Sequence, residues 1–394
     1  MKVRPEWNGA LVAIDSPLAL VSVNRAWARK LGVADSPRWK GDDPGHLSAP
    51  TEVHLVVSRQ CSAGCKSCYV DATPQGPALS LEQARAAIDR LAALGVFHVA
   101  LGGGEAMELP WLFEIARYAR EKGLVPNLTT AGLTLTEADA RLCTVFGQIN
   151  VSVDGVGAGY ERARGFNGFP RAVRALELLR KHCRRVGINF VVSRTSYDSM
   201  ADVVKLGKSL GLDEVELLRF KPAGRGVATF AEENLTDAQA RAFFPLVRKL
   251  TFRHRIRLKL DCSFAPMVFW HRPSLPVARF FGVVGCVGGD MLASVMPDGS
   301  VTGCSFGGPS EASIFDEDAV NEALATGFDA FRGFVARAPE PCRSCEYLSL
   351  CRGGCRVVAK AAGDWWQPDP GCPTVVDARY GSTPTSQKPT LKAP

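Results

Sequence analysis

The 394-residue chain has no window of eighteen uncharged apolar residues, which excludes a transmembrane helix. Its first residues, MKVRPEWNG, lack the apolar run of a signal peptide, so the expectation is a cytoplasmic protein without a membrane partner. No run of five or more Lys or Arg occurs. The 47 basic and 40 acidic residues are mixed along the chain and leave a net charge of only +7, which gives no footprint for nucleic acid. A hydrophobic fraction of 46% with 22% charged residues excludes a disordered chain, a collagen or a coiled coil. The length allows two or three domains.

What the chain does have is thirteen cysteines. In a large chain without secretory features they point to metal or redox chemistry rather than to disulfides. Cys61, Cys65 and Cys68 crowd together, and seven more follow from Cys286 onward. Soft thiolates at short spacing suit zinc or iron–sulfur clusters.

Residues 1–50 stand apart. Ala10–Asp15 and Ala19–Asn24 read as strands around Ser16-Pro17, Arg25–Leu31 as a helix, and the prolines from Pro37 to Pro50 as a linker. From residue 51, strand and helix alternate. Strands are expected at Val53–Ser58, Val96–Leu101, Leu124–Thr130, Gln148–Val153, Ile188–Ser193 and Glu214–Phe220. The intervening helices are marked by a capped start at Ser80 and by closing glycines at Gly123 and Gly187. Six such units predict parallel strands in an α/β fold, a partial (β/α)6 barrel over 51–262 with its functional groups where strands end. After a helix at Thr236–Thr251 and a strand at Arg255–Asp261, residues 263–375 read as a small Cys-rich domain held by metal rather than by a large core, and 376–394 as a flexible tail.

The pattern C-x3-C-x2-C follows the first barrel strand, and Gly103-Gly104-Glu105 ends the second. Three thiolates on one loop can hold three irons of a four-iron cluster and leave the fourth iron open to a chelating ligand; a zinc site short of one ligand is the other reading. The segment VVSRQCSAGCKSCYV, with GGGE after the next strand, resembles the radical S-adenosylmethionine (radical SAM) enzymes over roughly residues 51–220. The resemblance implies a [4Fe-4S] cluster on Cys61, Cys65 and Cys68. It implies S-adenosylmethionine on the open iron, cleaved to methionine and a 5′-deoxyadenosyl radical that abstracts a substrate hydrogen. It further implies contacts to S-adenosylmethionine from Gly103, Gly104 and Glu105, from Thr129 and Thr130 at the third strand end, and from Ser152 and Asp154 at the fourth. Arg164 would pair with its carboxylate or, on the other reading, be a surface arginine; Asn189 and Arg194 are further candidates. The proline usual after GGE in that family is Ala106 here.

The later cysteines resemble the SPASM extension of that family: Cys286, Gly299, Cys304, then Cys342-x2-Cys345-x5-Cys351-x3-Cys355 and Cys372. That resemblance implies two auxiliary [4Fe-4S] clusters, three clusters in all. One would sit on Cys342, Cys345, Cys351 and Cys372, the other on Cys286, Cys304 and Cys355. The latter is one ligand short, because ARFFGVVG ahead of Cys286 holds no cysteine. Cys262 reads as that ligand, as a catalytic or substrate-contacting thiol, or as a plain buried cysteine. Structural zinc is the rival for the region. Cys143 and Cys183 read as buried apolar residues, His98 as structural, and Trp365-Trp366 as packing over a cluster. Asp261 is the one candidate for a catalytic acid or base.

The resemblance implies an oxidoreductase that takes a hydrogen from a ribosomally made precursor peptide, giving a crosslink, a thioether, an oxidation or an excision. Residues 1–50 resemble the opening of a peptide-recognition domain, which binds a leader by adding a strand to a free edge; their other reading is a cap on the barrel. The expected partners are the precursor peptide, a flavodoxin- or ferredoxin-type reductant and a separate peptide-recognition protein. Alternatives are oxidation of a sugar or alcohol in an antibiotic pathway, sulfatase maturation, and a cluster carrier without chemistry of its own.

Overall fold

The computed structural model describes residues 2–15 and 18–381. The expected Ser16-Pro17 turn and the tail beyond 381 lie outside the described residues. An antiparallel sheet of β1 (Lys2–Glu6), β2 (Gly9–Asp15) and β3 (Leu18–Asn24) comes first, followed by a short helix, Arg25–Lys30, capped by the Asn24 side chain. β1 is a strand the sequence did not suggest, because Pro5 disguises it; at an edge, its missing N–H costs the ladder nothing.

The main sheet is built from β4 (Glu52–Ser58), β5 (His98–Gly103), β6 (Val125–Thr130), β7 (Ile149–Ser152), β8 (Val186–Val192) and β9 (Glu214–Arg219), parallel and in sequence order. This is the six-unit partial barrel. The sheet extends beyond these six units at both edges, at one of them by the strand expected over 255–261. β10 (Arg257–Leu260) adds in parallel beside β9, and the Cys-rich region contributes β11 (Leu292–Val295) in parallel beside β4. β12 (Ser300–Thr302) and β13 (Ala312–Ser313) continue antiparallel from β11.

Helices cover one face of this sheet. Leu81–Ala93 and Asp237–His254 begin with reciprocal capping boxes at Ser80/Gln83 and Thr236/Gln239, which satisfy orphan N–H groups at their starts. Ile88, Leu91, Ile115, Leu176, Leu179, Val203 and Phe243 pack from these helices onto Val53, Leu55, Val99, Val151, Ile188 and Leu217 of the strands. Each such buried side chain contributes about 1.5–3 kcal/mol. Gly187 does not end a helix: the helix Phe169–His182 stops at Cys183, and Gly187 sits within β8, where a Cβ would meet Asn150 Oδ1 at 2.6 Å. Phe264 and Met267 belong to the same core, so the Cys-rich region is continuous with the barrel across residue 263. The helix Pro373–Tyr380 carries regular structure five residues past the expected start of the tail.

The N-terminal sheet is fastened to the barrel end where strands begin. Arg4, buried and paired with Glu6 at 2.7 Å, donates to the carbonyls of Ala49, Pro50 and Gly95. Glu6 accepts from Ser48, and Leu47 N donates to Asp290 of the Cys-rich region.

Candidate functional site

The inner face of the barrel encloses a cavity of about 520 Å³ that reaches from the C-terminal strand ends to the N-terminal ones. At its upper end the loop after β4 carries Cys61, Cys65 and Cys68, all three facing the cavity. Backbone ties hold this loop: Cys61 N donates to Thr73 O at 2.9 Å and Lys66 N to Arg164 O at 3.0 Å. Arg225, which sequence reasoning missed, clamps it from the loop after β9. Its guanidinium donates twice to Cys65 O, at 2.9 and 3.1 Å, and once to Ala72 O, and its N–H reaches Cys68 O at 2.9 Å.

The Gly103-Gly104-Glu105 turn docks on the same loop. Gly104 N donates to Ser58 O at 2.6 Å and Glu105 N to Gln60 O at 2.9 Å. A Cβ on Gly103 would meet Ser58 O at 2.4 Å and one on Gly104 would meet Gln60 O at 2.0 Å. Glycine is therefore required here because two protein backbones touch. Burial pushes the Glu105 carboxyl up, opposed by hydrogen bonds from Thr130 Oγ1 at 2.8 Å and Ala131 N at 2.7 Å. Glu105 and Thr130 thus lock the second strand end to the third. Thr129 and Ser152 line the open space.

Asp154 and Arg164 form a nearly buried pair at 2.8 Å. Asp154 also accepts from Val191 N at 2.8 Å, and Arg164 Nη2 lies 3.1 Å from Cys65 Sγ. Arg164 is no surface residue, and its Nε is buried with no partner. Asn189 lines the cavity, whereas Arg194 is spent on the carbonyls of Ala231 and Asn234 outside it.

Below this mouth the wall is polar. Asn150 donates to Asn189 Oδ1 at 2.6 Å and to Glu216 Oε2 at 3.3 Å; Lys259 pairs with Glu216 at 3.0 Å, and His54 with Glu52 at 3.1 Å. His98 lines the same floor rather than serving only the core. These residues alternate with core residues along their strands, so single polar residues at every second position were the available signal. Ala13 and Ile14 of β2 with Ala19 and Leu20 of β3 complete the floor.

The later cysteines gather into two groups. Cys342, Cys345, Cys351 and Cys372 line a second cavity of about 530 Å³, and burial followed by their mutual charge pushes the Cys342 thiol up to about 12. Cys286, Cys304 and Cys355 share an apolar cluster with Phe331 and Trp365. Trp365 packs there, while Trp366 stacks with Arg337. Tyr69 and Phe306, with ring centroids 5.0 Å apart, line the cavity on the side of Cys304. Asp261 is held at both oxygens: one pairs with buried Lys221 and the other accepts from Ser263 N at 2.8 Å. Neither Asp261 nor Cys262 lines the barrel cavity. Cys143 and Cys183 are buried in the helical layer.

The donor chemistry suits iron–sulfur clusters. A zinc ion draws its thiolates together, with Zn–S near 2.3 Å. A four-iron cluster takes each thiolate on a separate corner and so accepts a wider set.

A parallel α/β half-barrel with a thiol-bearing loop at its C-terminal mouth defines a class of cofactor-dependent enzyme. The family model described as Radical SAM superfamily matches residues 55–207. The chain is 30% identical over 349 residues to a PqqA peptide cyclase of Ruegeria pomeroyi, covering 84% of this chain and 90% of the relative. It is 29% identical over 349 residues to an AdoMet-dependent heme synthase of Methanosarcina barkeri, covering 82% and 97%. The fold is similar to that of Streptococcus suis SuiB bound to precursor peptide SuiA, at a TM-score of 0.74 and 14% identity over 94% of this chain and 98% of that one. The chain belongs to the radical SAM superfamily, with a Cys-rich C-terminal region of the SPASM type. Membership brings a [4Fe-4S] cluster and S-adenosylmethionine. Among the described residues no helix is long and apolar enough to cross a membrane.

Proposed function

We propose that this radical SAM enzyme matures a ribosomally made precursor peptide by removing a hydrogen atom from one of its residues. The observation that carries the reading is the cavity itself. It joins the Cys61–Cys68 mouth to a floor partly made by β3, which among the described residues pairs on one side only. A leader adding to that free edge would enter the barrel beside the floor. The likeness to a PqqA peptide cyclase supports a peptide substrate.

In this reading Cys61, Cys65 and Cys68 hold the first cluster. Gly103, Gly104, Glu105, Thr129, Thr130, Ser152, Asp154 and Arg164 surround S-adenosylmethionine. Cys342, Cys345, Cys351 and Cys372 hold one auxiliary cluster, and Cys286, Cys304 and Cys355 contribute to another. When bound, cluster and S-adenosylmethionine together supply the radical that removes hydrogen. The chain's own part is to position and to exclude: Arg225 fixes the loop, Arg164 offers charge beside Cys65, and the Tyr69–Phe306 wall bounds the cavity. A reductant of the flavodoxin or ferredoxin type supplies the electron.

The test incubates the anaerobically reconstituted chain with S-adenosylmethionine, a strong reductant and short peptides encoded beside its gene. A changed peptide mass, with 5′-deoxyadenosine formed in step, supports the reading. The second reading, a small-molecule substrate, draws on the similar identity to a heme synthase. It takes first place if 5′-deoxyadenosine forms while no peptide changes. Val21→Pro and Ser22→Pro test the edge: successive residues turn their N–H groups to opposite sides, so one of the two should abolish precursor binding in fluorescence anisotropy.

A further inference from the structure

Cys286, Cys304 and Cys355 are one thiol short of a four-iron cluster, and the residues just ahead of Cys286 supply none. The fold brings a cysteine in from another direction. Cys262 follows β10, and the backbone on both sides of it is pinned. Asp261 N donates to Leu217 O at 3.0 Å. Ser263 O accepts from Arg219 Nη1 at 3.3 Å. The same Nη1 donates to Asp369 Oδ2 at 2.6 Å, and that oxygen accepts from Cys355 N at 2.9 Å. One buried guanidinium–carboxylate pair therefore holds the residue after Cys262 and the backbone of Cys355 together. On the other side of Cys262, Asp261 pairs with Lys221, whose ammonium lies 4.2 Å from the centroid of the Phe306 ring, two residues after Cys304.

We propose that Cys262 is the fourth thiolate of the first auxiliary site and closes it; this rests on the cluster assignment given under the proposed function. A closed site leaves no iron free to bind substrate. Lys221, over the Phe306 ring, would be a fixed positive charge beside that site.

The test uses the full chain with Cys61, Cys65 and Cys68 all changed to Ala, so that only the auxiliary sites load. This parent should bind about eight irons, four per cluster. Its reduced electron paramagnetic resonance spectrum should not move on addition of cyanide, a ligand for open iron. Adding Cys262→Ala should lower iron by about one per chain, give a three-iron signal on mild oxidation, and make the reduced spectrum respond to cyanide. Cys262→Ser should keep the iron and shift the spectrum. Cys183→Ala, which removes a buried thiol in the helical layer, should do neither. A cyanide response in the parent overturns the proposal without need of any variant, and so does a Cys262→Ala spectrum identical to the parent's. A parent with about four irons or fewer removes the two-auxiliary-cluster reading itself, and the assignment falls with it.

Discussion

Arg219 and Asp369 lie 150 positions apart and meet as a buried two-pronged pair, at 2.6 and 3.2 Å. Arg219 ends β9, and Asp369 sits between Cys355 and Cys372, also accepting from the backbone of Cys355 and Gly371. Asp369→Ala leaves a buried guanidinium uncompensated. It should cost about 3–5 kcal/mol, read as a lower urea midpoint under anaerobic conditions, and any iron held by the later cysteines should fall with it.

Arg225 is tested by its conservative change. Lysine keeps the charge but cannot span Cys65 O, Ala72 O and Asp71 together. Because the side chain is partly exposed, Arg225→Lys should cost on the order of 1 kcal/mol. The loop should loosen, and a chelator should strip about four irons several-fold faster than from the unmodified chain.

Arg164→Lys and Asp154→Asn probe the charge pair at the mouth. Each breaks a contact that positions the other, and S-adenosylmethionine affinity should fall at least about tenfold, or about 1.4 kcal/mol. Equilibrium dialysis reads the affinity. Unchanged binding in both variants removes this pair from the cofactor site.

At the cavity floor, burial works to raise Glu52, but hydrogen bonding and charge from His54, with Lys259 and His98 behind, bring it down to about 2. An acid held below its ordinary 4.5 stabilises the fold while ionised. The contribution is whole above pH 4.5 and fades as pH falls toward 2. The side chain is 37% exposed, so water screens the effect to about 1 kcal/mol or less. Glu52→Gln should flatten the fall of the thermal midpoint between pH 5 and pH 3.5.

The barrel was legible because β4 to β9 announce themselves as apolar runs rich in Val, Ile and Leu, separated by capped helices. The short-range cysteine pattern was legible for the same reason: its spacing is local. What the sequence hid is tertiary. β11 and β12, of four and three residues among glycines and cysteines, are too short to show a period. Gly187 looked like a helix stop, yet it is small because Asn150 and Glu214 press on it. Arg225 reads as one more surface arginine until the loop it clamps is in place. The place of Cys262 is set by the path of β10, which it follows.

The pairing of β11 with β4 has a consequence for how the chain comes to exist. Thr51 and Met291, which meet where these strands begin, are separated by 240 positions. As the polypeptide leaves the ribosome, β4 emerges early, while its outer neighbour is synthesised long after the rest of the barrel. During that interval the strand feeding the Cys61 loop shows an unpaired edge, the kind of surface on which chains aggregate. Production of the barrel alone, ending before Leu292, would make that interval permanent.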